Sequence, residues 1–248
     1  MIPTALGKQA ALRRHLRRLV SNGKYRKSEE QAILVGEKVV EEAMAHHIDH
    51  IETLIACVDT PIESNLPVAY LDKADYKEIT NLDTPPPVAA LIRIPSWDSA
   101  QILATAKRVI FLDTIQDPRN LGTIVRTAAA FGWDAVITQN SVDLYHPKAL
   151  RASSGACWHC PVLANNEVKL VENDWEIITL SPYATQPLEC YASQSNKAKL
   201  LVLGSEGQGL SEQWDSIADL QSYRIPISQN IDSLNVAATA SIAAFMIK

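Results

Sequence analysis

Arg126 stands in the segment DPRNLGTIVRTAAAFGW, residues 117–133, among Ile124, Val125, Ala128, Ala129, Ala130 and Phe131. An arginine in an apolar amphipathic helix asks for a reason. Its guanidinium stays charged and offers five donors in a planar fork that suits a phosphate or a carboxylate. Gly122 lies four residues earlier on the same helical face, and Asn120 is a good N-cap type for the helix that follows. Taken alone, this set describes a capped helix whose arginine reaches the surface. A second set is Gly204, Ser205, Glu206, Gly207, Gln208, Gly209 and Leu210, directly after an apolar run. Its G-x-x-G-x-G spacing is neither the dinucleotide pattern nor a P-loop, and the acidic Glu206 opposes phosphate cradling. A tight turn and close approach to a ligand fit it about equally. The third set is Ile225, Pro226 and Ile227, followed by Ser233, Leu234, Asn235 and Val236. Here a buried amide, Asn235, is expected one turn into an alanine-rich helix, as a satisfied core amide or a helix cap, with Ser233 as one ready candidate.

These three sets need elements to position them. The second half of the chain carries five short apolar runs, RVIFLD, DAVIT, EIITLS, KLLVLG and SYRIPI, with helical segments between and after them. Runs of this kind suit buried parallel strands in an α/β fold. In such sheets ligands bind beyond the carboxyl ends of strands, which is where all three sets fall. The first half has AILVG, IETLIACV, LPVAYLD and VAALIRI as strands and EKVVEEAMAHH as a helix, a small α/β layer structure. Pro95 and Ser96 interrupt the pattern, so the domains are expected at residues 1–96 and 97–248.

Composition bounds the class. With 248 residues, 47% hydrophobic and 21% charged, the chain suits a soluble protein with a substantial core. No apolar run approaches the roughly 20 residues of a membrane span, and no apolar signal region follows the basic N-terminus. A cytoplasmic protein is expected. The cysteines Cys57, Cys157, Cys160 and Cys190 do not form a disulfide framework. Cys157 and Cys160 flank Trp158 and His159 but lack a clear fourth ligand, so they are assigned to packing and no metal is expected. The net charge of −5 hides an uneven distribution. Residues 1–27 carry +8 and no acid, and the rest carry −13. Leu12, Leu16 and Leu19 recur at helical spacing there. A helix over residues 8–27 would thus turn Arg13, Arg14, Arg17 and Arg18 outward, as candidate phosphate contacts in combination with a site elsewhere and as a solvated helix face when taken alone.

Together the three sets resemble the SpoU family of RNA ribose 2′-O-methyltransferases, within the SPOUT class. The family's N-x-G-x-x-x-R with a later F-G stands here as Asn120, Gly122, Arg126, Phe131 and Gly132. Its G-x-E-G-x-G-[LM] stands as Gly204, Glu206, Gly207, Gly209 and Leu210. Its I-P-[MI] and S-L-N-V stand as Ile225, Pro226, Ile227, Ser233, Leu234, Asn235 and Val236. Residues 152–156, ASSGA, look like the family's small-residue stretch. The resemblance covers roughly the C-terminal 150 residues and is looser before them. There the family's usual Phe-x-Ile-Glu-Gly is replaced by Ile33, Leu34, Val35, Gly36 and Glu37.

The resemblance implies an α/β SPOUT fold ending in a deep trefoil knot, preceded by a small α/β/α substrate-binding domain like a ribosomal protein. It implies S-adenosylmethionine as cofactor, held by Gly204, Ile225 and Leu234 with Leu203, Ser205, Gly207, Ile227 and Leu180 nearby. It implies Arg126 as the central catalytic residue, with Asn120, Glu206, Ser233 and Asn235 around the reacting oxygen. A guanidinium, which holds its proton strongly, is better suited to stabilising an alkoxide and fixing a phosphate than to acting as a base. The partners implied are RNA, ribosomal before transfer RNA, and a second copy of the chain. Two other readings compete. A catalytically silent RNA-binding relative need not keep Asn120, Arg126, Glu206 and Asn235. A nucleotide-binding oxidoreductase would carry G-x-G-x-x-G after an early strand, and none is present.

Overall fold

In the computed structural model, residues 5–164, 175–192, 196–205, 207, 209–214, 217 and 220–247 are described, without the side chains of residues 5–8. They fall into two compact units, Met1–Ser96 with Tyr145–Gly155, and Trp97–Leu144 with Ala156–Lys248. The segment Tyr145–Gly155, inside the stretch assigned from sequence to residues 97–248, thus clusters with the first unit.

The first unit holds a four-stranded sheet of β1 (Gln31–Val35), β2 (Ile51–Cys57), β3 (Val68–Leu71) and β4 (Val88–Arg93) in the order β1-β4-β2-β3. Only β2 and β3 run parallel. Leu16 and Leu19 of α1 (Ala5–Ser21) and Tyr76 and Ile79 of α4 (Lys73–Thr80) pack with Ile33, Val35, Ile55 and Leu91 in one core. The single basic helix expected over residues 8–27 is two helices. Asn22 breaks it by leaving helical geometry and accepting from Tyr25 N–H at 3.0 Å, which starts α2 (Gly23–Glu29). The helix α3 (Glu37–His46) packs on β1 and β4, and α7 (Pro147–Ser153) packs on β1.

The second unit is a seven-stranded, wholly parallel sheet in the order β7-β6-β5-β10-β8-β11-β9. Its strands are β5 (Arg108–Asp113), β6 (Ala135–Gln139), β7 (Val162–Ala164), β8 (Trp175–Leu180), β9 (Gln186–Pro187), β10 (Ala198–Leu203) and β11 (Gln221–Arg224). Five of these correspond to the apolar runs; β7 and β9 are too short to show a pattern. SYRIPI is strand only to Arg224, because Pro226 cannot donate to a ladder. Val109 and Phe111 join Leu103 of α5 (Ser99–Thr105) in one core, while the equally buried Ile110 and Leu112 alternate to the other face. The helices α6 (Pro118–Ala130) and α8 (Val236–Met246) pack on each other and reach β6 and β10. No helix among the described residues is long and apolar enough to cross a membrane.

Candidate active site

In an all-parallel sheet every strand points its carboxyl end to the same edge. Leu180 ends β8, Leu203 ends β10, and Ile225 and Ile227 follow the end of β11, on three strands that are neighbours in the order β10-β8-β11. The helix α6 leaves the same edge after β5, and α8 begins there after the segment that follows β11. The sites expected from sequence are therefore gathered by strand order rather than by proximity in the chain.

Two caps differ from expectation. Asn120 is not the N-cap of α6. Asp117 is, accepting from Arg119 N–H at 2.8 Å, with Pro118 at the first helical position. Proline suits that position because the N–H it lacks would be unpaired there anyway. Nor does Ser233 cap α8; it lies exposed before it. Asn235 is the cap, accepting from Ala237 N–H at 2.9 Å and Ala238 N–H at 3.4 Å. It is an exposed helix start, not a buried amide one turn into a helix. Asn120 is thereby released from capping, and Asn235 caps with Oδ1 alone, which leaves its Nδ2 for a second task. Asn235 Nδ2 donates to Asn120 Oδ1 at 3.1 Å, joining the start of α6 to the start of α8. Thr127 Oγ1 and Ser241 Oγ, 3.0 Å apart, and Trp133 Nε1 donating to Ala244 O at 3.2 Å extend the same helix contact.

Arg126 lies exposed on α6, whose Leu121, Gly122, Ile124, Val125 and Ala128 are buried. It therefore belongs to the solvent side of the helix, while Gly122 four residues earlier packs inward. The Phe131-Gly132 pair terminates α6. Gly132 has φ +66, and its N–H and that of Trp133 donate to Ala129 O and Ala128 O, closing the last turn.

The glycine loop has its own logic. A Cβ on Gly204 would lie 2.2 Å from Gly209 O, so this glycine is required by the loop folding back on itself. Ser205 and Gly209 exchange reciprocal backbone hydrogen bonds at 3.0 Å. Gly207 is different: a Cβ there would have no atom within 4 Å. The loop is closed at its base by the Ser205–Gly209 bridge. Glu206 lies outside the described residues.

Half-buried Leu180, Ile225, Ile227 and Leu234 supply aliphatic surface without charge at this edge. Cys157 and Cys160 are buried. Cys160 points its thiol toward Trp133 O at 3.9 Å, and burial pushes its pKa up to about 12, so it stays protonated in the core. Asp113 was not singled out as a site residue. The signal was present as an acid closing the apolar run RVIFLD, and the structure buries that acid completely.

On α1, Arg13 and Arg17 are not simply outward cations. They bind the carboxylate of buried Asp75 at 2.7 and 2.8 Å. Arg18 lies over the Tyr25 ring at 3.7 Å. Buried Arg26 donates to Leu19 O at 2.5 Å and Val20 O at 3.3 Å, satisfying carbonyls at the end of α1. Arg14 and Lys24 are exposed and form no ion pair among the described residues.

Residues of all three sequence motifs thus stand at or follow the carboxyl edge of a parallel sheet in an α/β fold. The chain belongs to the SpoU rRNA Methylase family, matched over residues 107–245. It is 30% identical over 222 residues to the 23S rRNA (guanosine(2553)-2′-O)-methyltransferase RlmP of Bacillus subtilis, covering 87% of this chain and 88% of that one. The fold matches the SpoU methyltransferase AviRb from Streptomyces viridochromogenes, solved in complex with AdoMet, at a TM-score of 0.83 and 21% identity, over 95% of this chain and 96% of that one. It also matches an AdoMet-bound rRNA methyltransferase from Sinorhizobium meliloti at a TM-score of 0.78 and 23% identity, over 95% and 93%.

Proposed function

We infer that this protein transfers a methyl group from S-adenosylmethionine to a ribose 2′-hydroxyl of ribosomal RNA. The observation that carries this reading is the Asn235–Asn120 hydrogen bond, which joins the first and third motifs at the sheet edge where the glycine loop begins. The similarity to RlmP over most of both chains supports ribosomal RNA as the substrate class.

S-adenosylmethionine, when bound, supplies a methyl group already activated on a sulfonium. The chain's own residues then have to bind, orient and manage charge. Leu180, Leu203, Ile225, Ile227 and Leu234 hold the apolar portions, while backbone groups of Gly204, Ser205 and Gly207 face the polar ones. Arg126 fixes the phosphate next to the target ribose and stabilises the negative charge that grows on the 2′-oxygen as its proton departs. A guanidinium is poorly suited to take that proton itself. Asn120 and Asn235, held by each other, orient the ribose. Glu206 and Ser233 complete the polar surround in this reading.

The same proposal divides the chain into an RNA-binding domain at residues 1–96 and a catalytic domain at 97–248. It includes the family's trefoil knot, supported by a sheet order in which β8 lies between β10 and β11 though it precedes both in the chain. It also includes a cytoplasmic location and a homodimer. The dimer is supported by the paired rings of Phe131 and Phe245, 5.6 Å apart and 38% and 59% exposed on adjoining helices.

Calorimetry with S-adenosylmethionine and, separately, NAD tests the reading, followed by mapping of ribose methylation in ribosomal RNA. Binding of S-adenosylmethionine alone and a single new 2′-O-methyl are expected. Binding of NAD, or no S-adenosylmethionine binding with RNA present, would overturn it.

A further inference from the structure

Asp113 ends β5 with none of its surface exposed to solvent. Its Oδ2 accepts three hydrogen bonds, from Ser211 N–H at 2.8 Å, Ser211 Oγ at 2.6 Å and Trp214 Nε1 at 3.1 Å. Its Oδ1 is buried as well and meets no donor among the described residues. Burying a carboxylate is costly, and an apolar side chain of similar volume would serve packing at least as well. A half-satisfied buried acid at the end of a central strand therefore needs a task other than filling the core.

The donors identify the task. All three come from the four residues that follow the glycine loop. The pairing of Leu203 with Leu112 places Asp113 across from Gly204, where that loop begins. The carboxylate thus stands beside the loop's first residue and holds the residue that follows its last. Trp214 is driven into the core by an edge contact with Phe111, ring centroids 4.9 Å apart at 72°. The Ser205–Gly209 bridge closes the loop internally, and the bonds to Asp113 join the segment that follows it to the end of β5.

We propose that Asp113 is a positioning residue for the cofactor, which presets the glycine loop by tethering its exit to the end of β5. The proposal rests on the S-adenosylmethionine reading. A loop held in place before binding loses less freedom when the ligand arrives, so the tether acts on cofactor affinity rather than on RNA contact.

Two substitutions separate this role from simple packing. Asp113→Ala removes the acceptor. Asp113→Asn can place its carbonyl oxygen where Oδ2 stands and keep all three hydrogen bonds. The Kd for S-adenosylmethionine, measured by calorimetry, is expected to rise about tenfold or more in Asp113→Ala and to return to within about threefold of wild type in Asp113→Asn. RNA affinity without cofactor should stay within about twofold in both. Hydrogen exchange at the Ser211 amide should be slowed in wild type and Asp113→Asn and fast in Asp113→Ala. If Asp113→Ala does not fold, Ser211→Ala and Trp214→Phe, each removing one donor, should each weaken cofactor binding. Unchanged cofactor affinity in Asp113→Ala, or in both single-donor variants, would overturn the role. Equal weakening of cofactor and RNA binding would overturn it as well. Failure of the wild-type protein to bind S-adenosylmethionine would instead remove the reading beneath it.

Discussion

Arg126 is exposed on a helix whose neighbouring apolar residues are buried, so its place in the sequence is explained by the helix turning it to solvent. Replacing it with lysine keeps the charge but loses the planar fork that binds phosphate with two bonds. Single-turnover methylation by Arg126→Lys is expected to fall roughly a hundredfold, with S-adenosylmethionine affinity unchanged. Near-normal turnover would mean that charge alone suffices and that the proposed geometry is wrong. Asn120 and Asn235 show how a residue's type can be legible while its job is not. Asn120 looked like a cap, and Asn235 like a cap or a core amide. One caps α8, the other caps nothing, and they bind each other.

The helices owe their starts to residues that compete for the same N–H groups. Asp72 illustrates the consequence at α4. It accepts from Asp75 N–H at 2.8 Å, and this bond, foremost among its surroundings, holds its pKa below the ordinary carboxylate value. A depressed folded-state pKa contributes stability that is present above the unfolded pKa and is lost as pH falls through the folded one. Thermal unfolding of wild type and Asp72→Ala should therefore differ at pH 7, and the difference should shrink as the medium is acidified below the usual carboxylate range. A difference that persists undiminished in strong acid would show that the carboxylate charge is not its source. The same competition explains the break between α1 and α2: the sequence reads as one amphipathic stretch, but Asn22 binds forward to Tyr25 N–H and starts a new helix.

For the whole molecule, the charge asymmetry of residues 1–27 survives folding only in part. Arg13 and Arg17 hold the buried Asp75, and Arg26 is spent on carbonyls of α1. Removing either of the first two should destabilise the first unit by about 1–3 kcal/mol by leaving the acid short of a partner. Arg14 and Lys24 carry no such duty. The double variant Arg14→Ala, Lys24→Ala should leave the unfolding midpoint in place and lower the slope of log affinity for RNA against log salt by about two. An unchanged slope would make these residues ordinary solvated charges. Sedimentation provides the matching test of assembly: a dimer is expected for wild type and a monomer for Phe245→Glu, and a wild-type monomer would remove the homodimer from the proposal.

Local regularity was readable from the chain alone. The runs RVIFLD and KLLVLG announced buried parallel strands, and the spacing of Asn120, Arg126, Gly204 and Asn235 announced the family. Strand and helix periods are properties of near neighbours, and motif residues keep their order whatever the fold does around them. The tertiary structure decided which groups meet. Asn120 finds Asn235 across 115 positions, and Asp113 finds Ser211 across 98. Arg13 finds Asp75 across 62, which gives two of the expected RNA contacts an internal partner as well. Those meetings depend on sheet order and on which of several candidate caps reaches an N–H first. Both are settled by packing distant segments together, a contest that no local pattern records.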